Sequence, residues 1–112
     1  MRPAQTSNIK YLTKENELNK LIRDQRSTRQ REYILFTSLW DEVSCTLVGK
    51  LPKLNTRKSI SVLNSFDTPH SFVIWGLTKT PALVVLDSYG GEKKALVTTH
   101  VTDIYKKLGL ER

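Results

Sequence analysis

Two stretches of this 112-residue chain, Tyr33-Ile34-Leu35-Phe36 and Ala82-Leu83-Val84-Val85-Leu86, are apolar at every position. Successive side chains of a strand point to opposite faces, so such a run is stable only where both faces are covered. A central strand of this kind needs a layer on each side, and the segments between the strands carry helical patterns that supply those layers. Neither run approaches the roughly 20 residues that a membrane-crossing helix requires. One α/β domain follows.

The other elements fill in around these runs. Ile9-Lys10-Tyr11-Leu12 alternates like a short edge strand, and residues 1–8 are polar and expected to form a flexible N-terminus. Thr13 is the N-cap candidate for a helix with Leu18, Leu21 and Ile22 on one stripe, and Arg26 to Gln30 reads as the connection out of it. Asp41-Glu42 suits a helix start, where carboxylates meet the positive end of the helix dipole, and Pro52 should end that helix. Ile60 to Phe66 reads as a strand. Asp67-Thr68-Pro69 predicts a helix opened by a capping side chain and a proline, with Phe72, Val73 and Trp75 on its apolar side and Gly76 closing it. Asp87 to Glu92 is expected to turn a hairpin into Lys94-Ala95-Leu96-Val97, with Gly90-Gly91 serving the turn rather than a phosphate. Val101, Ile104, Tyr105 and Leu108 mark a last helix, stopped by Gly109. The order is β-α-β-α-β-α-β-β-α, in which strands joined through helices should lie parallel and the final hairpin adds an antiparallel edge.

Composition narrows the chemistry. Cys45 is the only cysteine, so an internal disulfide is impossible, and with only His70 and His100 to assist it no Cys/His zinc site forms. Its expected place is buried, as a small apolar-like residue. No cofactor or metal is implied by any motif, and Asp41 and Glu42 are no acid/base pair because neighbours on a helix point apart. The net charge is +7, with Lys20, Arg23, Arg26, Arg29 and Arg31 concentrated against only Asp24 and Glu32. Such a basic patch suits a solvated face or an acidic partner, nucleic acid included, although no aromatic residue lies within it to stack on bases. No secretory h-region appears at the N-terminus, so a cytoplasmic or otherwise intracellular protein is expected.

The spacing from Leu63-Asn64 to Thr80-Pro81, together with Trp40 leading a helix start, resembles the thioredoxin family. The resemblance covers residues 9–112 and implies a thioredoxin-like domain, a central mixed sheet flanked by helices, and a cis peptide bond before Pro81. The family carries Trp-Cys-Gly-Pro-Cys at that helix start; here the stretch reads Trp40-Asp41-Glu42-Val43-Ser44. Asp41 stands where the attacking cysteine would be and Ser44 where the resolving one would be. A carboxylate and a hydroxyl cannot exchange disulfides. The resemblance therefore implies a redox-inactive protein that acts as an adaptor or accessory subunit for a partner protein, and the missing cysteine pair weighs against an enzyme without deciding the question. Its groove would be built from Trp40, Asp41, Glu42, Trp75, Thr80 and Pro81, narrowed by Thr98 and Thr99 near the family's usual glycine. Two alternatives remain: an accessory protein of a nucleic-acid complex using the basic patch, and a one-cysteine thiol oxidoreductase using Cys45.

Overall fold

Strand β2 (Glu32–Thr37) runs through the middle of the sheet in the computed structural model of the chain, which describes residues 8–28, 31–54, 58–89 and 92–110. Around it lie β1 (Asn8–Leu12), α1 (Glu15–Thr28), α2 (Glu42–Lys50) with a 3-10 turn at Leu51–Lys53, β3 (Ser59–Asn64), α3 (Pro69–Ile74), β4 (Ala82–Tyr89), β5 (Glu92–Thr98) and α4 (Val101–Leu108). The sheet order is β1-β3-β2-β4-β5. Strands β1, β3 and β2 are parallel, while β4 is antiparallel to β2 and β5 to β4.

The reversal at β4 corrects the expectation that every helix-linked strand would be parallel. A parallel return requires a connection as long as the strand it passes. Helix α1, with 14 residues, rises about 21 Å and carries the chain back along the sheet before β2, whereas the six residues of α3 rise only about 9 Å before β4. The chain therefore re-enters the sheet from the end at which it left.

Alternation along the strands divides the core into two layers. Tyr33, Leu35, Val62, Leu83 and Val85 face Leu47 of α2 and Ile104 and Leu108 of α4. Ile34, Phe36, Leu63 and Val84 face Leu18 of α1 and Phe72 of α3. Phe36 meets Phe72 edge to face at 4.9 Å between ring centres. Burying each of these larger side chains contributes about 1.5–3 kcal/mol.

Several local expectations shift. Asn8 already belongs to β1, paired with Ser59, and residues 1–7 lie outside the described residues. Thr13 does not cap α1; the Glu17 carboxylate instead accepts from the amides of Thr13 and Lys14, both at 2.9 Å, and the helix continues past Arg26 to Thr28. Phe66 is not in a strand, because Asn64 Oδ1 accepts from its amide at 3.1 Å and turns the chain after β3. Asp87 to Tyr89 and Glu92 are strand rather than turn, and the expected turn at Gly90-Gly91 lies outside the described residues.

The capping expected at Asp67-Thr68 comes from elsewhere. Thr68 makes no side-chain cap and gives its hydroxyl to the Asn64 carbonyl at 3.2 Å. Glu15 of α1 supplies the cap: its carboxylate accepts from the amides of His70 (2.8 Å) and Ser71 (3.0 Å) and from the Ser71 hydroxyl. Desolvation opposes ionisation of Glu15, but the Ser71 hydroxyl, the two amides and His70 outweigh it and hold the carboxyl below its ordinary value. Val73, expected on the apolar side, is exposed, while Phe72 is buried. Pro69 opens α3, and Gly76 (φ 65°) takes the left-handed conformation that closes it.

Among the described residues, no helix is long and apolar enough to cross a membrane.

Candidate functional site: the start of α2 and the cis-proline loop

Because β1, β3 and β2 are parallel and β4 runs against them, the segments at one end of the sheet converge. They are the Ser38–Asp41 turn leading into α2, the turn after β3, the loop before β4, and the segment between β5 and α4. The convergence is stitched by backbone: Ser65 N donates to Thr37 O at 2.9 Å, and the Thr37 hydroxyl donates to Leu63 O at 2.8 Å.

Asp41 is the hub of this end. Its extended backbone (φ −107°, ψ 117°) is that of an N-cap, and its carbonyl accepts the first helical bond from Cys45 N at 3.0 Å. Its Oδ1 accepts from Val43 N at 3.2 Å. Its Oδ2 accepts from Ser44 Oγ at 3.0 Å and from Thr80 Oγ1 at 3.1 Å. Ser44 is buried, so its hydroxyl requires that partner. The Thr80-Pro81 bond is cis, as the resemblance implied. One carboxylate thus ties the positive end of a helix to the loop that carries the cis proline.

Of the predicted groove residues, the structure brings Trp40, Asp41, Thr80 and Pro81 together and places Glu42 beside them on the exposed first turn of α2. Trp40 is 86% exposed, with its amide donating to Ser38 Oγ at 3.2 Å. Trp75 packs instead in the layer beneath α1 and α3, 6.5 Å from the Phe36 ring centre, which is the core role open to it from its place on the α3 stripe. Thr98 holds the opposite rim: its hydroxyl accepts from His100 N at 3.3 Å and donates to Asp103 Oδ2 at 3.4 Å. Leu39, Val43 and Phe66 are also exposed at this end of the sheet. The Asn64-Ser65-Phe66-Asp67 run carries an Asx-type turn signal that the strand reading of Ile60 to Phe66 passes over.

Cys45 is not buried, against expectation. The buried stripe of α2 runs through Ser44 and Leu47, and Cys45 sits about 100° further round. It is exposed, its thiol 3.5 Å from the Leu39 carbonyl to which it donates. It borders a cavity of about 380 Å³ between α2 and the β1 edge, with Tyr11, Leu39, Val48 and Val62 among the lining residues.

The predicted basic patch falls only partly within the described residues. Lys20 and Arg23 are exposed on α1, the Arg26 side chain and Arg29 lie outside what is described, and Arg31 is bound to Asp87 at 2.9 Å. Hydrogen bonds from Arg31 to Tyr33 and to Asp87, with the Asp87 charge, raise its pKa further. Among the described residues, no group of three His, Cys, Asp or Glu is placed to hold a metal ion.

No protein-family model and no curated protein sequence matches the chain. Solved structures do. It is similar to Trichomonas vaginalis thioredoxin at 17% identity, with a TM-score of 0.69 over 92% of this chain and 96% of that one. It is similar to a thioredoxin from Nicotiana alata at 13% identity and TM-score 0.68, and to thioredoxin O2 from Arabidopsis thaliana at 19% and 0.65, each over 96% of both chains. The chain has a thioredoxin-like fold.

Proposed function

We propose that this chain is a redox-inactive thioredoxin-fold adaptor that docks an extended segment of a partner protein at the Trp40–Thr80 surface, which the buried Pro81 supports from beneath. The observation that carries this reading is the state of Asp41. Where thioredoxin chemistry needs a thiolate free to attack, this position holds a carboxylate already accepting three hydrogen bonds, from Val43 N, Ser44 Oγ and Thr80 Oγ1. The helix end is thereby neutralised from within, and the exposed ring of Trp40 beside it is free for apolar contact.

A second reading is favoured by the exposure of Cys45 beside an apolar cavity. There the Cys45 thiolate would attack one sulfur of a disulfide and expel the other as a thiol, and a second thiol such as glutathione would then release the mixed disulfide.

Reduction of a protein disulfide, driven by dithiothreitol or glutathione, separates the two readings. The adaptor reading expects no rate above background for wild type or Cys45→Ser, and expects a rate to appear in the Asp41→Cys/Ser44→Cys double variant, which restores the thiol pair on the same helix end. Wild-type activity abolished by Cys45→Ser would overturn it in favour of the one-cysteine reading.

A further inference from the structure

The far end of the sheet carries a second surface, built on β5. This strand is last in the sheet order, so among the described residues its outer edge pairs with nothing. Edge strands are usually blunted by charge, proline or a covering element. The described stretch Ala95-Leu96-Val97 has none of these. Leu96 is 54% exposed and Val97 43%, and they lie on opposite faces because Leu96 pairs with Val85 and Val97 with Val84.

Beside this edge, on the Leu96 face, lies a hollow of about 800 Å³ with Tyr33, Val85 and Leu96 as apolar lining and Arg31, Asp87 and Lys107 as charged lining. Its cause is the course of α4. With eight residues the helix rises about 12 Å, whereas the eight residues of β4 span about 27 Å. The helix leaves β5 at Thr98 and ends with Gly109 near Lys58, just before β3, so it crosses the sheet obliquely and leaves Ala95 and Leu96 exposed. Six residues of β2, about 20 Å, separate this hollow from Asp41, so the two surfaces are distinct.

The geometry points to β5 as the docking edge for an extended acidic segment of a partner protein. Main-chain hydrogen bonds to a free edge supply affinity, and a pocket that takes every second side chain supplies specificity. Here the hollow receives apolar side chains over Leu96, Val85 and Tyr33, and a carboxylate among the side chains on that same face meets Lys107. Charge selects the occupant: a chain of net charge +7 repels a second copy of itself and attracts an acidic partner.

The probe is an acetylated, amidated octapeptide, Val-Thr-Glu-Thr-Phe-Thr-Glu-Thr, which sets Val, Phe and Glu on one face, followed by amide shifts in 15N spectra of the whole chain. A matched peptide with Lys for Glu and a poly-dT oligonucleotide serve as controls. Shifts are expected along Ala95–Thr98 and at Lys107, leaving Trp40 and Thr80 unmoved. Leu96→Asp, at an exposed position, should weaken binding by about tenfold, and Lys107→Glu should weaken it by about threefold and flatten its salt dependence. No shift at β5 with millimolar peptide, shifts confined to Trp40–Pro81, equal binding of the lysine peptide, or wild-type affinity in Leu96→Asp would each overturn the proposal. So would a β5 response to the oligonucleotide alone, or a dimer in sedimentation that Leu96→Asp dissolves.

Discussion

Replacing Asp41 by alanine tests the hub of the candidate site. The substitution removes the cap on Val43 N, which costs about 1 kcal/mol for a typical N-cap. It strands the buried Ser44 hydroxyl, adding about 1–2 kcal/mol for an unsatisfied polar group. It also releases Thr80, an exchange of one hydrogen bond for water worth about 0.5–1 kcal/mol. These terms share one carboxylate and do not add fully, so a loss of about 2–3 kcal/mol in urea unfolding is expected. With an unfolding entropy of about 2.1 cal/mol/K per residue, a 112-residue chain should then melt roughly 8–13 °C lower. Asp41→Ser keeps a capping oxygen but is too short to reach Thr80, so it should recover about 1 kcal/mol of that loss. A double-mutant cycle of Asp41→Ala with Thr80→Val isolates the tie to the cis-proline loop, with an expected coupling of about 0.5–1 kcal/mol. Asp41→Ala within 0.5 kcal/mol of wild type, or strict additivity with Thr80→Val, would refute the view that this carboxylate holds the helix and the loop together.

Three further outcomes are expected. Glu15→Gln removes the charged cap on α3 and should cost about 1 kcal/mol at neutral pH, measured by urea unfolding. Because the folded state lowers the Glu15 pKa, its contribution is present above the unfolded carboxylate pKa and is lost as pH falls through the lower folded value; wild type and Glu15→Gln should therefore converge in acid. Phe36→Ala, which empties the centre of the layer beneath α1 and α3 and its contact with Phe72, should cost about 3–5 kcal/mol, read by the same unfolding assay. The Cys45 thiol should react stoichiometrically with an aromatic disulfide reagent in the native state, without the lag that a buried thiol shows until the protein unfolds.

What the amino-acid order alone determined is whatever depends on neighbours along the chain. The consecutive apolar positions of Tyr33–Phe36 and Ala82–Leu86 dictated central strands, and the stripe through Val101, Ile104, Tyr105 and Leu108 dictated a helix. Asp41 before a helix start, Pro69 at a first turn and Gly76 or Gly109 after a last one are local backbone chemistry, legible at short range. What only the tertiary structure decided depends on residues far apart in the chain. Glu15 capping α3 spans more than fifty positions, and Thr80 reaching Asp41 spans 39. Neither distance can be read from spacing, because closing such loops depends on how strands and helices pack. The exposure of Cys45, the antiparallel entry of β4 and the bare outer edge of β5 are of the same kind: each depends on which elements the folded packing sets beside one another.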